Sequence, residues 1–324
     1  ESYFFRLSRY QEQIRKLIET DELLILPSSR KTEILNFIEK GLVDFSISRP
    51  KSQLDWGVEV PGDSNSVMYV WFDALTNYLT VAGYADKLDL NLWPIDTHLI
   101  GKPILRFHSI YWIGMLLSAG ISLPKNIFAH GIVTLNGQKM SKSLGNIVNP
   151  IELIEEYGAE RVRFFLLKEV SSGGDIDFDL ETFETVCESD LSNNYGNLAS
   201  RLHKLNSLFN LDWQDENKLN RLKQESTDVL LEELSIELNN FRFDKLIRII
   251  FNYLSDLNKE IDILEPWKKL EDFESFEKFY KILARFLSLN SLIYAVLPIS
   301  SKKVNKFFEN LGSKEKIEPL FPRT

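Results

Sequence analysis

The stretch THLIGKPILRFHSIYWIGMLLSAGISLPKNIFAH, residues 97–130, contains two short apolar runs with a longer helical pattern between them. Thr97–Gly101 and 127–130 have the length and apolar content of strands that are buried on both faces. Residues 103–118 predict a helix. The proline at its start is compatible with this prediction, since proline is tolerated in the first helical turn. This strand–helix–strand order predicts a parallel, doubly wound α/β sheet whose ligands bind beyond the carboxyl ends of the strands.

The residues before this stretch continue the alternation. Residues 8–20 and 31–40 predict short helices, the second ending at Gly41. Residues 67–72, Val-Met-Tyr-Val-Trp-Phe, predict another buried strand, and 73–81 predict the helix after it. The residues that fall at predicted strand ends, where ligands are expected, are Trp71, Gly101 and His130. The sequence contains no P-loop motif, so any ATP is bound by other means.

After Pro150 the pattern becomes helical. Residues 151–168 predict two short helices broken at Gly158, and the acidic run 175–179 predicts a loop. From 180 to about 298 the chain predicts long amphipathic helices. One apolar stripe, at spacings of 7, 4, 3 and 4, consists of Leu191, Leu198, Leu202, Leu205 and Phe209, and comparable patterns cover 227–239, 243–257 and 276–297. We therefore expect an all-α helix bundle as a second domain, with the chain divided into 1–149, 150–180 and 181–324.

Composition limits the function without deciding it. The chain has 324 residues and a net charge of −9, which argues against nonspecific coating of nucleic acid but allows local basic patches. A single cysteine, Cys187, excludes internal disulfides, and we expect no metal site within this chain. No apolar stretch approaches the length that spans a membrane, so no membrane partner is expected.

The loop after the predicted strand 127–130 carries the strongest chemical signal. Lys139-Met140-Ser141-Lys142-Ser143 stands between two glycines, Gly137 and Gly145. Two lysines on a short glycine-bounded loop provide cations that could stabilise the negative charge that builds as pyrophosphate leaves. Taken alone, the five residues could also form a solvated basic loop.

This loop resembles the KMSKS signature of the class I aminoacyl-tRNA synthetases, and the wider sequence is similar to the methionyl-tRNA synthetases. The similar segments stand in family order: ISR at 47–49, WGVEVP at 56–61, YVWFDALTNY at 69–78, LIGK at 99–102, FH at 107–108, NLASR at 197–201, PW at 266–267 and LFPR at 320–323. The resemblance implies the second part of a Rossmann-like class I catalytic domain, ending in the KMSKS loop, followed by an α-helical anticodon-binding domain.

The resemblance also implies a reaction in two steps. L-Methionine and ATP, with Mg²⁺, give methionyl-adenylate and pyrophosphate. The methionyl group then moves to the 3′ end of a methionine tRNA with a CAU anticodon. The partners expected for the chain are therefore methionine, ATP and this tRNA.

Roles for single residues follow from the resemblance by position. The methionine pocket is expected to contain Trp71, Ala74, Tyr78 and His108, since aromatic faces make favourable contacts with a thioether. The residues expected at ATP are Gly101, His130, Val133 and Lys142, with Lys139 and Lys142 as catalytic cations and Arg49 as a cation on the substrate side. The residues expected at the anticodon are Asn197, Arg201 and Trp267, which could bond base edges and stack a base. The residues alone also permit core roles for the tryptophans, for Tyr78 and for His108, and a surface role for Arg49.

Two departures from the family pattern stand out. Pro103 occupies the position where methionyl enzymes usually carry an acid that faces the ribose. The HIGH signature, which binds the ATP phosphates in the family, is absent from the sequence, and the first residue is Glu1 rather than Met. We therefore expect a carboxy-terminal portion that needs the missing amino-terminal half of the catalytic domain and that cannot activate methionine alone.

Alternatives remain open from the sequence. Another class I synthetase would share the KMSKS loop, and a catalytically dead, synthetase-like tRNA-binding protein would keep the bundle without the chemistry. The spacer 50–55 resembles those of mitochondrial methionyl enzymes, so we expect the mitochondrial matrix, with bacterial cytoplasm as the alternative. A monomer is expected.

Overall fold

The computed structural model describes residues 2–84, 92–141, 145–170, 173–209, 211–309 and 318–322. The chain forms two compact units, Glu1–Ile132 and Val133–Thr324, each with its own hydrophobic core. The division into 1–149, 150–180 and 181–324 stays a prediction of domain organisation.

The first unit combines short strands with five α-helices among its described residues. Its strands are β1 Phe4–Phe5, β2 Leu24–Leu26, β3 Phe45–Ser46, β4 Ser48–Pro50, β5 Glu59–Val60, β6 Asp63–Met68, β7 Thr97–Gly101 and β8 Asn126–His130. Its helices are α1 Gln11–Glu19, α2 Ser28–Glu39, α3 Val70–Ala74, α4 Asn77–Val81 and α5 Trp112–Ala119. Shorter helical turns cover Leu7–Tyr10, Lys102–Ile104 and the π-helical Phe107–Tyr111.

A three-stranded parallel sheet in the order β2-β8-β7 organises this unit. The predicted strands β7 and β8 are confirmed, and they pair in register so that Gly101 lies opposite His130. Ile25 and Ile127 are fully buried between the helices, as both-face burial requires. The sequence prediction missed β2, because three residues between two helices are too few to show a period.

The predicted strand over 67–72 is wrong. The strand ends at Met68, pairs antiparallel with β4 and β5, and gives way to α3 at Val70. Trp71 therefore lies on a helix rather than at a strand end. The end of the run is apolar because Trp71 and Phe72 pack against a hydrophobic cluster. This tertiary packing overrides the β propensity of the two residues. The predicted helix over 73–81 is likewise two short helices, α3 and α4.

The predicted helix over 103–118 is confirmed as one helical segment with an irregular middle. It begins with the turn Lys102–Ile104, passes through the π turn Phe107–Tyr111 and continues as α5. It ends at Gly120, whose φ of 67° is the left-handed conformation of a glycine C-cap. π turns within helices are frequent at functional sites.

The second unit carries a small sheet and a helix bundle. Its strands are β9 Val133–Leu135, β10 Gln138–Lys139 and β11 Ile176–Asp177, in the order β10-β9-β11. Its helices are α6 Pro150–Tyr157, α7 Ala159–Glu169, α8 Leu180–Val186, α9 Asn197–Asn206, α10 Glu216–Asn239, α11 Phe243–Leu264, α12 Phe273–Ile293 and α13 Pro298–Glu309. A π-helical segment covers Cys187–Gly196, and shorter turns cover Leu211–Trp213 and Pro266–Lys268.

The predicted bundle is confirmed, and its core follows the predicted stripe. Leu191, Leu198 and Leu202 are completely buried, and each such leucine stabilises the fold by about 1.5–3 kcal/mol. The break at Gly158 separates α6 from α7, and its φ of 86° suits a glycine. No helix in the described part of the chain is long and apolar enough to cross a bilayer. The architecture is thus an α/β unit with a parallel sheet and an all-α bundle.

Candidate functional site

A tyrosine and a histidine form a hydrogen-bonded pair inside the first unit. Tyr78 lies on α4, and its hydroxyl is 2.8 Å from Nε2 of His108 in the π turn. The other ring nitrogen, Nδ1, is 3.0 Å from the carbonyl of Ile104. Since a carbonyl only accepts, Nδ1 carries the proton and Nε2 accepts from the tyrosine. The helix therefore fixes both the tautomer and the orientation of His108.

The pair is electrically neutral around physiological pH. His108 is only 1% exposed, and its burial lowers the pKa of the imidazole. Burial also raises the pKa of Tyr78. Both groups keep their uncharged forms because the charged forms would lose hydration. The resulting surface offers aromatic faces and neutral polar atoms, which suit an uncharged, polarisable ligand group.

A second buried histidine, which sequence reasoning missed, supports this pair. Nε2 of His98 on β7 accepts a hydrogen bond of 3.1 Å from Nε1 of Trp112. The ring of Tyr78 meets His98 edge-on with centroids 4.4 Å apart, and the centroids of His98 and His108 are 5.4 Å apart. Burial and the neighbouring His108 lower the pKa of His98 to about 4. The only sequence signal was a histidine within a predicted buried strand.

Trp71 joins the same aromatic cluster from α3. Its indole stacks on Phe107 with centroids 4.1 Å apart and meets His108 edge-on at 6.4 Å. Trp71, Tyr78 and His108 are thus brought together as predicted, although Trp71 comes from a helix. Ala74 is exposed and lies three residues after Trp71 on α3, on the same side of that helix.

Gly101 and His130 lie side by side at the carboxyl ends of β7 and β8. Gly101 has a φ of −79°, and a Cβ built on it would meet the rings of His130 and Pro103 at 3.5 Å, an ordinary contact. The fold itself therefore does not demand glycine at this position. His130 is exposed, and its Nδ1 donates to the carbonyl of Gly131 at 2.7 Å.

Arg49 is held in place rather than extended into solvent. Its Nη1 donates to Oγ of Ser46 at 2.9 Å and to the carbonyl of Ser48 at 2.7 Å. Its guanidinium lies 4.5 Å from the ring centroid of Tyr69, a cation–π contact. A cation fixed by such contacts loses little freedom when an anion binds it.

In the second unit the KMSKS loop begins as a tight hairpin. Asn136 and Gly137 have positive φ values of 54° and 71° and connect β9 to β10, as in a two-residue hairpin turn. Lys139 on β10 is exposed, and the next residue, Met140, packs against the core of the bundle. Lys142 lies outside the described residues.

Val133 opens β9 of the same hairpin. It is half-buried against the bundle core and pairs with Ile176 of β11. Because Val133 belongs to a paired strand, its backbone atoms have a defined position.

Three bundle residues from two separate segments were expected at the anticodon. Asn197 is exposed at the start of α9, one turn before Arg201. Arg201 donates to Oδ1 of Asn258 at 3.2 Å and to Oδ1 of Asp262 at 2.5 Å, both on α11. Trp267 follows α11 in the turn Pro266–Lys268 and is 43% exposed, so it is not a core residue. Among the described residues, no three potential metal ligands cluster.

Comparison with known proteins places this geometry in a family. The model of the tRNA synthetases class I (M) matches residues 1–203, well over half of the chain. The chain belongs to this family. A methionine–tRNA ligase from Synechocystis is 39% identical over 96% of this chain and 60% of its own length. One from Rickettsia conorii is 36% identical over 99% of this chain and 64% of its own length.

Solved structures agree with the class I (M) assignment. Mycobacterium tuberculosis methionyl-tRNA synthetase in complex with methionyl-adenylate matches with a TM-score of 0.85 at 36% identity. That match covers 99% of this chain and 69% of the solved one. This class I (M) chain spans about 60% of the length of the curated relatives that it matches.

Proposed function

We propose that the chain acts in methionine–tRNA ligation, supplying the methionine pocket, the KMSKS lysines and the anticodon reader of a complete enzyme. The observation that carries the proposal is the neutral Tyr78–His108 pair, which lies beside Trp71 in an aromatic cluster. A thioether gains from aromatic edges and from neutral hydrogen-bonding groups, whereas a charged side chain would lose its hydration there. The pocket therefore favours methionine over charged amino acids.

The cations act on the nucleotide in this proposal. Lys139 and Lys142 stabilise the charge that develops as ATP, with Mg²⁺, loses pyrophosphate. Gly101, His130 and Val133 bind the nucleotide, and Arg49 supplies a fixed cation on the substrate side. Pro103 offers no carboxylate to the ribose, so ribose binding depends on other groups.

The bundle reads the tRNA in this proposal. Trp267 has an exposed indole that can stack a base, and Asn197 and Arg201 can hydrogen-bond base edges of a CAU anticodon. Asp262 and Asn258 hold the guanidinium of Arg201 at a defined position. Three splayed bases need few contacts, so the acidic chain can still bind them.

We further propose that an amino-terminal segment completes the catalytic domain. Among the described residues, β7 pairs with β8 alone, and Leu99 on this edge strand is 62% exposed. Parallel sheets are normally covered on both faces, and bare strand edges attract pairing partners. The HIGH signature is also absent from the 324 residues. The isolated chain should therefore not form methionyl-adenylate.

The test is ATP–pyrophosphate exchange by the chain fused after the amino-terminal part of the Synechocystis relative. Each amino acid is offered in turn, and calorimetry verifies that the fusion is folded. Exchange with methionine alone supports the proposal. A folded fusion that binds methionine tRNA but exchanges with no amino acid would point instead to a tRNA-binding protein without catalysis. Clear turnover by the isolated chain would refute the need for an added segment.

Compartment and assembly belong to the same proposal. The spacer 50–55, which begins at the last residue of β4 and precedes β5, supports the mitochondrial matrix, with bacterial cytoplasm as the alternative. We propose a monomer, which light scattering of the fused protein would test.

A further inference from the structure

One side chain outside the KMSKS motif is bonded to the motif at two points. Oδ1 of Asn146 accepts from the backbone N–H of Ser141 at 2.8 Å. Nδ2 of the same amide donates to the backbone carbonyl of Lys139 at 3.3 Å. Asn146 is half-buried; the bond to Ser141 is partly shielded from water, whereas the bond to Lys139 is exposed. A single amide thus links the two residues that flank Met140.

The other side of Lys139 is also fixed. Lys139 pairs with Thr134 across the hairpin. Oδ1 of Asp177 accepts from the N–H of Gly137 and from Oγ1 of Thr134, both at 2.8 Å. The backbone of Lys139 is therefore held from the hairpin on one side and by Asn146 on the other. Only its exposed side chain keeps its freedom.

We propose that Asn146 is a positioning residue that presents the ammonium group of Lys139 to the phosphates of ATP. The proposal rests on the proposed function of the KMSKS lysines and deepens it. A fixed backbone narrows the volume that the ammonium explores, so less freedom is lost when the transition state forms. The role needs an acceptor and a donor on one short side chain. Asparagine has both, whereas an aspartate only accepts.

The first test measures the link itself in the full chain, independently of catalysis. In Asn146→Ala, the amide hydrogen of Ser141 should exchange roughly ten-fold faster than in the parent chain, because its acceptor is gone. Asn146→Asp keeps an acceptor and should keep the protection. The matched control is Asn149→Ala, which removes another side-chain acceptor, that of the Ile151 N–H at the start of α6. Unchanged exchange at Ser141 in Asn146→Ala would overturn the proposal.

The second test measures the consequence in the fused enzyme. Asn146→Ala should lower kcat for pyrophosphate exchange roughly ten-fold and leave KM for methionine unchanged, while Asn149→Ala should keep the parent kcat. The kcat of Asn146→Asp should lie between those of the parent and of Asn146→Ala, since the aspartate loses only the bond to the carbonyl of Lys139. In a Lys139→Ala background the loss from Asn146→Ala should largely disappear, because Asn146 acts through Lys139.

If the losses of kcat from Asn146→Ala and Lys139→Ala multiply in the double variant, Asn146 does not act through Lys139, and its role as a positioning residue is overturned. Faster exchange of the Ser141 amide hydrogen in Asn146→Ala, together with an unchanged kcat, would overturn this role as well. If the parent fusion shows no methionine-dependent exchange, the proposed function fails, and the link is decided by the Ser141 amide alone.

Discussion

Replacing His98 by phenylalanine should change how the stability of the first unit depends on pH. Burial and the neighbouring His108 lower the pKa of His98 to about 4 in the folded chain. In the unfolded chain the pKa returns to about 6.5. Between these values the unfolded state binds a proton that the folded state does not bind. The stability that His98 contributes by staying neutral is therefore complete above pH 6.5 or so and is lost as pH falls toward 4.

The size of this loss follows from the difference in pKa. A difference of about 2.5 units corresponds to about 3 kcal/mol in the free energy of unfolding. At neutral pH the variant has its own cost, because Nε1 of Trp112 loses its acceptor in a buried site. That cost is about 1–3 kcal/mol. The parent chain should therefore be the more stable at pH 7, and its advantage should shrink by about 3 kcal/mol toward pH 4 or reverse.

The assay is urea unfolding at a series of pH values, followed by hydrogen–deuterium exchange of the α5 amides, which report on the first unit. The control is Trp93→Phe, a change in the same buried cluster that removes no titratable group. The stability difference between the parent and the control should not depend on pH. If the difference between the parent and His98→Phe were equally constant, His98 would not be held neutral by burial, and the reasoning would be refuted.

Three further outcomes are expected. In the fused enzyme, Tyr78→Phe should raise KM for methionine about ten-fold with KM for ATP unchanged, because Nε2 of buried His108 loses its donor. Gly101→Ala should weaken ATP binding while the free energy of unfolding, measured in urea, changes by less than about 0.5 kcal/mol. Trp267→Ala should weaken binding of methionine tRNA, measured by fluorescence anisotropy, by about 1–3 kcal/mol without lowering stability, since the indole is half exposed.

Much of the architecture could be predicted from local signals in the sequence. The stripe around Leu198 repeats at helical spacing, whereas the apolar run Thr97–Gly101 predicts a strand and the proline after it suits a helix start; all three elements are confirmed. The run 67–72 has no period, so length and β propensity decided the prediction. The structure instead places its last residues in a helix that packs on an aromatic cluster.

The residues proposed to face the ligand were easier to find than the residues that hold them. Trp71, Tyr78 and His108 were found by resemblance, and the structure brings them together. His98 and Asn146 act on other protein groups, and neither was predicted from the sequence. The distance from His98 to its partner Trp112 is set by how a strand and a helix pack, which a spacing in sequence does not contain.

Two glycines that look alike in the sequence differ in the space around them in the folded structure. Gly101 and Gly114 both lie in the strand–helix segment that decides the fold. A Cβ on Gly114 would lie 2.8 Å from Cδ1 of Leu7 and 3.4 Å from Cε1 of Phe5, so alanine there would force the buried side chain of Leu7 to shift. A Cβ on Gly101 meets only ordinary contacts at 3.5 Å. Alanine at 114 should therefore lower stability through the fold, whereas any loss from alanine at 101 must arise when a ligand approaches the backbone.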